Sequence, residues 1–354
     1  MGIARTAGIA AGIGVVLFGA CACGPVPDYR TLAEADLKPP TFLGVDAVDS
    51  RTIRLRFDET VSGRPADVTL VPSLPVDEVV AEDKAISIKL SADEGVGVDY
   101  ALEASVEDAH RNSMAILCHV YGYNPEVPPL LINEFTNRGS GNHPDLVELY
   151  ARGAGNLAGV CLFEGSRDHW EQRIILPAIK VVEGDYLLIH WKPQGLPEEK
   201  NEVTDKSSSG GYDSSPTAYD LWVPDGDGLV GTTGALSLYT SPTGRLLDAV
   251  LYSDRTSKSD NSYAGFGSKE ALDTATQLWE AGGWKAAGAA IAPEDCVNPD
   301  PSTATRSLCR SSSSADTDGS ADWHVTPTRG STFGGPNSDE LYVPTEGAAS
   351  VRKR

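Results

Sequence analysis

Three carboxylates stand close together in residues 130–152, LLINEFTNRGSGNHPDLVELYAR, and side chains of this type can exchange a proton as general acid and base. Glu134 lies in the first apolar run, Asp145 just before the second, and Glu148 within it. A second acidic group, Asp316, Asp318 and Asp322 in DTDGSAD, places carboxylates at positions 1, 3 and 7 around Gly319, the spacing with which a loop wraps oxygen ligands around calcium. The loop lacks the bidentate acid that completes a twelve-residue calcium site, so a plain Asp-Gly turn competes with the ion. Calcium is the one cofactor the sequence offers. The glycine fingerprint Gly226-Asp-Gly228-Leu-Val-Gly231 precedes a strand-like run at 235–240, where a dinucleotide site needs a helix, and Asp225 and Asp227 oppose a phosphate. The six histidines, at 110, 119, 143, 169, 190 and 324, form no HxH or HExxH pair for catalytic zinc. No GxSxG elbow is present, and no catalytic residue is assigned.

The elements that carry the first carboxylates argue for a structural role. Strand alternation puts Ile132 and Glu134 on one face of 130–135 and Leu131, Asn133 and Phe135 on the other. In the second run Leu146, Glu148 and Tyr150 oppose Val147 and Leu149. Apolar residues point both ways, so both strands read as covered on two sides, with polar groups that need buried partners. Carboxylates that accept hydrogen bonds from covering loops meet that need.

At these residues the chain resembles a lamin tail domain: the INEF strand, the gap, and DLVELY followed by Gly153 and the apolar run from Leu157. The segment 316–337, DTDGSADWHVTPTRGSTFGGPN, resembles that family's closing pattern of acidic turn, Asp-Trp, Pro-Thr-x-Gly and Pro-Asn, with Arg329 where the family has proline. The resemblance implies an immunoglobulin-like β-sandwich over 130–340. Its two ends lie about twice as far apart as a sandwich of roughly 100 residues requires, so it carries long insertions. Upstream, Ile53, Leu55 and Phe57 alternate with polar residues, as do Ile86, Ile88 and Leu90, and Tyr100, Leu102, Ala104 and Val106. The stretches DSRTIRLRFDETV and YALEASVEDAHRNSM resemble bacterial Ig-like domains of surface-layer and adhesion proteins. The expected fold is all-β, two immunoglobulin-like β-sandwiches in tandem at 42–122 and 130–340, joined by a Pro-rich linker at 123–129 and followed by a tail at 341–354. Further strands are expected at 173–176, 186–191, 235–240 and 246–252, with a polar loop at 193–219. The Ala- and Gly-rich stretch 264–292 shows no clear period.

Residues 1–20 hold one basic residue, Arg5, then an uncharged small and apolar run, and end Gly19-Ala20 before Cys21. This reads as a secretory signal with lipid attachment at Cys21, with Cys23 as the competing position and an ordinary secretory cut as the second reading, followed by a tether over 21–41. The apolar run is shorter than the about 20 residues a spanning helix needs. After cleavage 28 basic residues face 50 acidic ones, a formal charge of −22, which repels nucleic acid and favours solubility. Export also fits the cysteines. Beyond the lipidation pair stand Cys118, Cys161, Cys296 and Cys309, which allow three connectivities; a bond from Cys296 to Cys309 is preferred, since it would stabilise the Pro-rich loop between them by about 3 kcal/mol, and Cys118 and Cys161 then either pair or stand as separate buried thiols. Trp279 and Trp284, in the Gly/Ala-rich stretch, are candidates for rings that stack on a sugar or anchor a protein, while Trp170, Trp191, Trp222 and Trp323 are expected to pack. The expected function is that of a non-enzymatic, exported cell-envelope lipoprotein facing the periplasm or cell surface. It would be anchored to the membrane by lipid and act as a binding or structural module for a protein or glycan. The competing reading is a secreted hydrolase acting on phosphoesters or glycans, or its accessory subunit. The lamin-tail resemblance implies it, since such domains in bacteria accompany secreted nucleases and phosphoesterases.

Overall fold

The computed structural model describes residues 36–344. The expected signal segment 1–20, the expected lipidation positions Cys21 and Cys23, most of the expected tether and the tail from 345 onward lie outside the described residues. The chain divides into two compact units, 1–38 and 39–354. Of the first, residues 36–38 are described, and there the Lys38 amide donates to Asp36 Oδ1 at 3.1 Å. No helix among the described residues is long and apolar enough to cross a membrane.

The fold of the second unit is all-β. Its first seven strands are β1 (Phe42–Asp49), β2 (Thr52–Phe57), β3 (Val61–Val71), β4 (Val76–Glu82), β5 (Ala85–Leu90), β6 (Asp99–Asp108) and β7 (Ser113–Tyr121). They form a four-stranded sheet ordered β1-β2-β5-β4 and a three-stranded sheet ordered β3-β6-β7. Period-two alternation drives both, turning Ile53, Leu55, Ile86, Ile88, Leu102 and Val106 into one shared core. Full burial of each such side chain stabilises by about 1.5–3 kcal/mol.

Then follow β8 (Leu130–Thr136), β9 (Leu146–Ala151), β10 (Gly155–Asn156), β11 (Cys161–Gly165), β12 (Trp170–Ile175), β13 (Lys180–Val181), β14 (Tyr186–His190), β15 (Tyr219–Trp222), β16 (Thr233–Tyr239) and β17 (Leu246–Ser253). Helix α1 (Lys269–Glu280), β18 (Leu308–Arg310) and β19 (Trp323–Val325) complete the described elements. A six-stranded sheet runs β15-β14-β9-β8-β18-β19 and a four-stranded sheet β12-β11-β16-β17, with a small β10-β13 pair beside them. Ile132, Phe135, Val147 and Leu149 from the first sheet meet Leu162, Leu236, Leu238 and Val250 from the second in one core.

Strict alternation fails at one place in β8. Ile132 pairs with Leu149, and the next pair is Glu134 with Glu148, so Asn133 is an extra residue. A bulge of this kind shifts every later side chain to the other face. Phe135 thereby enters the core beside Ile132, and Glu134 leaves it to share a face with Glu148. This corrects the expectation that Ile132 and Glu134 share a face.

Helix α1 corrects the stretch without a clear period. Ser268 Oγ accepts from the Ala271 amide at 3.1 Å, Glu270 stands in the first turn, and Ala271, Ala275 and Leu278 recur at helical spacing. The chain stops with the Ala281 amide on the Gln277 carbonyl and Gly282 at φ 80, a left-handed turn that favours glycine. The 193–219 loop links the parallel strands β14 and β15 and folds around buried acids. Glu202 accepts from the amides of Ser208, Ser209 and Asp220 at 2.9, 2.7 and 2.9 Å.

Candidate functional site

The carboxylates of the β8-β9 pair are occupied. Glu134 accepts from the Ser307 hydroxyl, from the Thr332 amide at 3.0 Å and from the Thr332 hydroxyl at 2.7 Å. Glu148 accepts from Asn133 Nδ2 at 2.8 Å and from the Gly334 amide at 2.6 Å. Asn337 lies between them, its Nδ2 donating to the carbonyl of Arg310 at 3.0 Å and to Asn133 Oδ1 at 3.1 Å. Burial raises the Glu134 carboxyl, and burial together with the charge of Glu134 raises Glu148 well above the ordinary range. Asp145 accepts from the amides of Gly139 at 2.6 Å and Leu229 at 2.8 Å, joining two loops. These acids fasten segments to one another and present no open face to a substrate.

The acidic loop is tied to an arginine. Arg310, 0% exposed, grips Asp248 with Nη2 at 3.1 and 3.2 Å. Its Nη1 donates to Asp316 Oδ1 at 3.0 Å, its Nε reaches the Ile132 carbonyl at 2.8 Å, and its guanidinium lies 4.8 Å from the Trp323 ring centroid. Asp322 stands 3.5 Å from the same Nη1 and accepts from the amide and hydroxyl of Thr317, both at 2.7 Å. Among the described residues, Asp316, Asp318 and Asp322 do not form a set of three whose ligand atoms lie within 4.8 Å of one another. Arg310 sets a protein cation against Asp316 and Asp322, in competition with an ion. Thermal melts in calcium and in chelator are expected to superimpose. A calcium-dependent rise in Tm that Asp318→Asn abolishes would return the ion to this loop.

The expected disulfide does not form, and the four cysteines among the described residues are free. Cys296 belongs to the inner core, whereas Cys309 pairs with Glu134 across the β8-β18 ladder on the opposite, carboxylate-bearing face. The expected aromatic pair is corrected too. Trp284 is 2% exposed, with its indole donating to the Asp295 carbonyl at 3.0 Å, and Trp279 is half-buried against the core. The exposed indole is instead Trp170, at 45%.

Trp170 stands at the mouth of a cleft of about 490 Å³ between the β11-β12 hairpin, the start of β16 and helix α1. Its walls are apolar, from Ala235, Leu251, Phe266, Ala271 and Ala275, and Glu164, Asp168, Glu171 and Glu270 supply carboxyls with no lysine or arginine among the lining residues. Arg173 holds the indole in place, its guanidinium 4.7 Å from the ring centroid. Glu164, 4% exposed, accepts from the Val230 amide at 2.8 Å and from Trp191 Nε1 at 3.1 Å. Burial pushes its carboxyl up to about 7. The hairpin is locked to α1 by Gln277 on Asp168 and by Thr274 Oγ1 on the His169 carbonyl at 3.4 Å. A preformed apolar cavity with a few fixed polar groups is the form small-ligand sites take. The sequence signal for it was available in Ser268, Glu270 and the 271, 275, 278 spacing, which together announce the helical wall.

Fold and site define a mostly β protein whose buried acids hold its framework and whose accessible polar chemistry lies in clefts. Residues 128–325 match the family described as TP_1001_2nd, protein second domain, and the chain belongs to that family. An uncharacterized protein of Treponema pallidum (strain Nichols) is 24% identical over 161 residues, which is 44% of this chain and 40% of the relative. The match thus spans less than half the length of that relative. Among solved structures, the N-terminal part of the bacterial S-layer protein SbsC aligns at 12% identity and a TM-score of 0.24, covering 60% of this chain and 43% of that one. Domains 1-6 of the same surface layer protein align at the same identity and score, covering 57% and 39%.

Proposed function

We propose that this chain is a non-enzymatic, exported cell-envelope lipoprotein, lipidated at Cys21, that binds a protein or glycan. In this reading residues 42–122 and 130–340 are tandem immunoglobulin-like sandwiches, the second of lamin-tail type. The observation that supports a binding role is the cleft beside Trp170. It joins an exposed ring to an apolar floor and a buried acid, Glu164, and its rim of carboxyls suits hydroxyl or ammonium donors. Against catalysis stands the engagement of Glu134, Asp145 and Glu148 by amides and hydroxyls of their own fold.

The test measures retention of the full chain on immobilised neutral oligosaccharides and lysine-rich peptides, with Trp170→Ala beside the parent. The parent is expected to bind one class, and loss of the ring is expected to weaken that binding more than about tenfold, as for an aromatic anchor. Equal retention of parent and variant would remove the cleft from the function. Turnover of a simple phosphodiester by the purified chain would replace the binding reading with the hydrolase one.

A further inference from the structure

The chain carries a formal charge of −21, yet one cavity collects arginines. It encloses about 560 Å³ where the β7 end and the following linker meet the β16-β17 turn, and Arg56, Arg167 and Arg245 line it against a single carboxylate, Asp46. Asp46 is committed to Arg56. Arg167 donates from Nη1 to the Gly244 carbonyl at 3.4 Å, has Asp168 Oδ1 3.5 Å from its Nε and lies 5.9 Å from the Tyr239 ring centroid, contacts that hold it against the turn that carries Arg245. Among the described residues no protein group bonds the Arg245 guanidinium.

The walls are rigid. The Tyr123 amide donates to Glu94 at 2.8 Å, and Asn124 Nδ2 reaches the carbonyls of Asn156 and Ala158 at 2.8 and 2.9 Å. Gly97 approaches the 158–159 backbone so closely that an added Cβ would lie 2.6 Å from the Ala158 carbonyl carbon. The turn is fastened by the Thr240 amide on the Arg245 carbonyl at 2.9 Å and by the Arg245 amide on Thr240 Oγ1 at 3.1 Å. Ser241 and Thr243 add hydroxyls to the lining. Guanidinium forks match carboxylate and phosphate oxygens in a bidentate manner, and here Arg167 is held by its neighbours while the Arg245 guanidinium is left open to an oxyanion. The volume exceeds that of an inorganic ion and falls in the range of small-ligand pockets.

We propose that this junction cleft binds a sugar bearing an oxyanion, a phosphate or a carboxylate, with the anion on Arg167 and Arg245 and the sugar hydroxyls on Ser241 and Thr243. The site is separate from the Trp170 cleft and opposite in charge preference.

Titration calorimetry of the full chain with glucose 6-phosphate, glucuronate and glucose at one ionic strength tests it. Saturable heat is expected from at least one charged sugar and not from glucose, and which charged sugar binds identifies phosphate or carboxylate as the anion. Arg245→Gln and Arg167→Gln are each expected to weaken binding about tenfold or more, the loss of a charge-assisted contact. Arg245 is exposed, so its variant should melt with the parent in chloride and decides the matter if Arg167→Gln misfolds. Trp170→Ala should leave this binding unchanged, which separates failure here from failure of the proposed function. The inference is overturned if no charged sugar binds, if glucose binds equally, or if Arg245→Gln binds as the parent does.

Discussion

Arg310→Met is expected to destabilise the protein by about 3–5 kcal/mol, read as a lower denaturation midpoint at an unchanged slope. The substitution keeps most of the volume and removes the charge. Asp248 then remains fully buried with its two backbone donors, the Ile132 amide at 2.7 Å and the Ala249 amide at 2.8 Å, but without the cation. Burial raises the Asp248 carboxyl and the Arg310 guanidinium is the largest force drawing it back, so the variant also favours a protonated Asp248. The acidic loop loses its tie at Asp316, and Trp323 loses the cation beside its ring. Pairing the change with Asp248→Leu should recover a large part of the loss, because a buried ion pair replaced on both sides costs far less than one broken on one side. A single variant within about 1 kcal/mol of the parent would show that the pair contributes no more than an exposed one.

Stability is expected to be highest in mildly acidic solution and to fall as pH rises through 7. Glu94 and Glu164 are both buried, and burial pushes each carboxyl from 4.5 to about 7. Glu94 Oε2 accepts from the Tyr123 amide, while Oε1 is buried with no hydrogen-bond partner. A raised carboxyl holds its proton more tightly folded than unfolded. Its stabilising effect is therefore complete below the unfolded value near 4.5 and disappears as pH climbs past the folded value near 7. Each site should cost about 3 kcal/mol by pH 8 relative to pH 4.5. Acids held below their ordinary value, such as the half-buried Asp260 and the exposed Asp93, lose their effect only in stronger acid and leave this window clear. Melting across pH 5.5 to 8 should show a falling Tm, and Glu94→Gln and Glu164→Gln should each flatten the slope. A Tm that stays level or rises over that range would refute the assignment.

The local period of TIRLRF, AISIKL and the alternating run from Tyr100 to Val106 announced strands because one residue after another repeats the same choice of face. The bulge at Asn133 broke that logic, since nothing in LLINEFT distinguishes an inserted residue from a paired one. The framework role of Glu134 and Glu148 was legible, because apolar residues on both faces required buried partners. Arg310 was not, because Asp248 lies 62 positions upstream and LCR reads as an ordinary short strand. Trp170 looked like a core ring by its place beside a strand. Its exposure follows from β12 being an edge strand of its sheet.

The closing segment also sets an order of events. Thr332 reaches back 198 residues to Glu134, and Asn337 reaches back 204 to Asn133. Until those residues have been synthesised, Glu134 lacks the Thr332 amide and hydroxyl and Glu148 lacks the Gly334 amide, and contacts of such long sequence separation form slowly. The second β-block is thus completed late in synthesis, whereas β1 to β7 hold every pairing of their own two sheets within the first 121 residues.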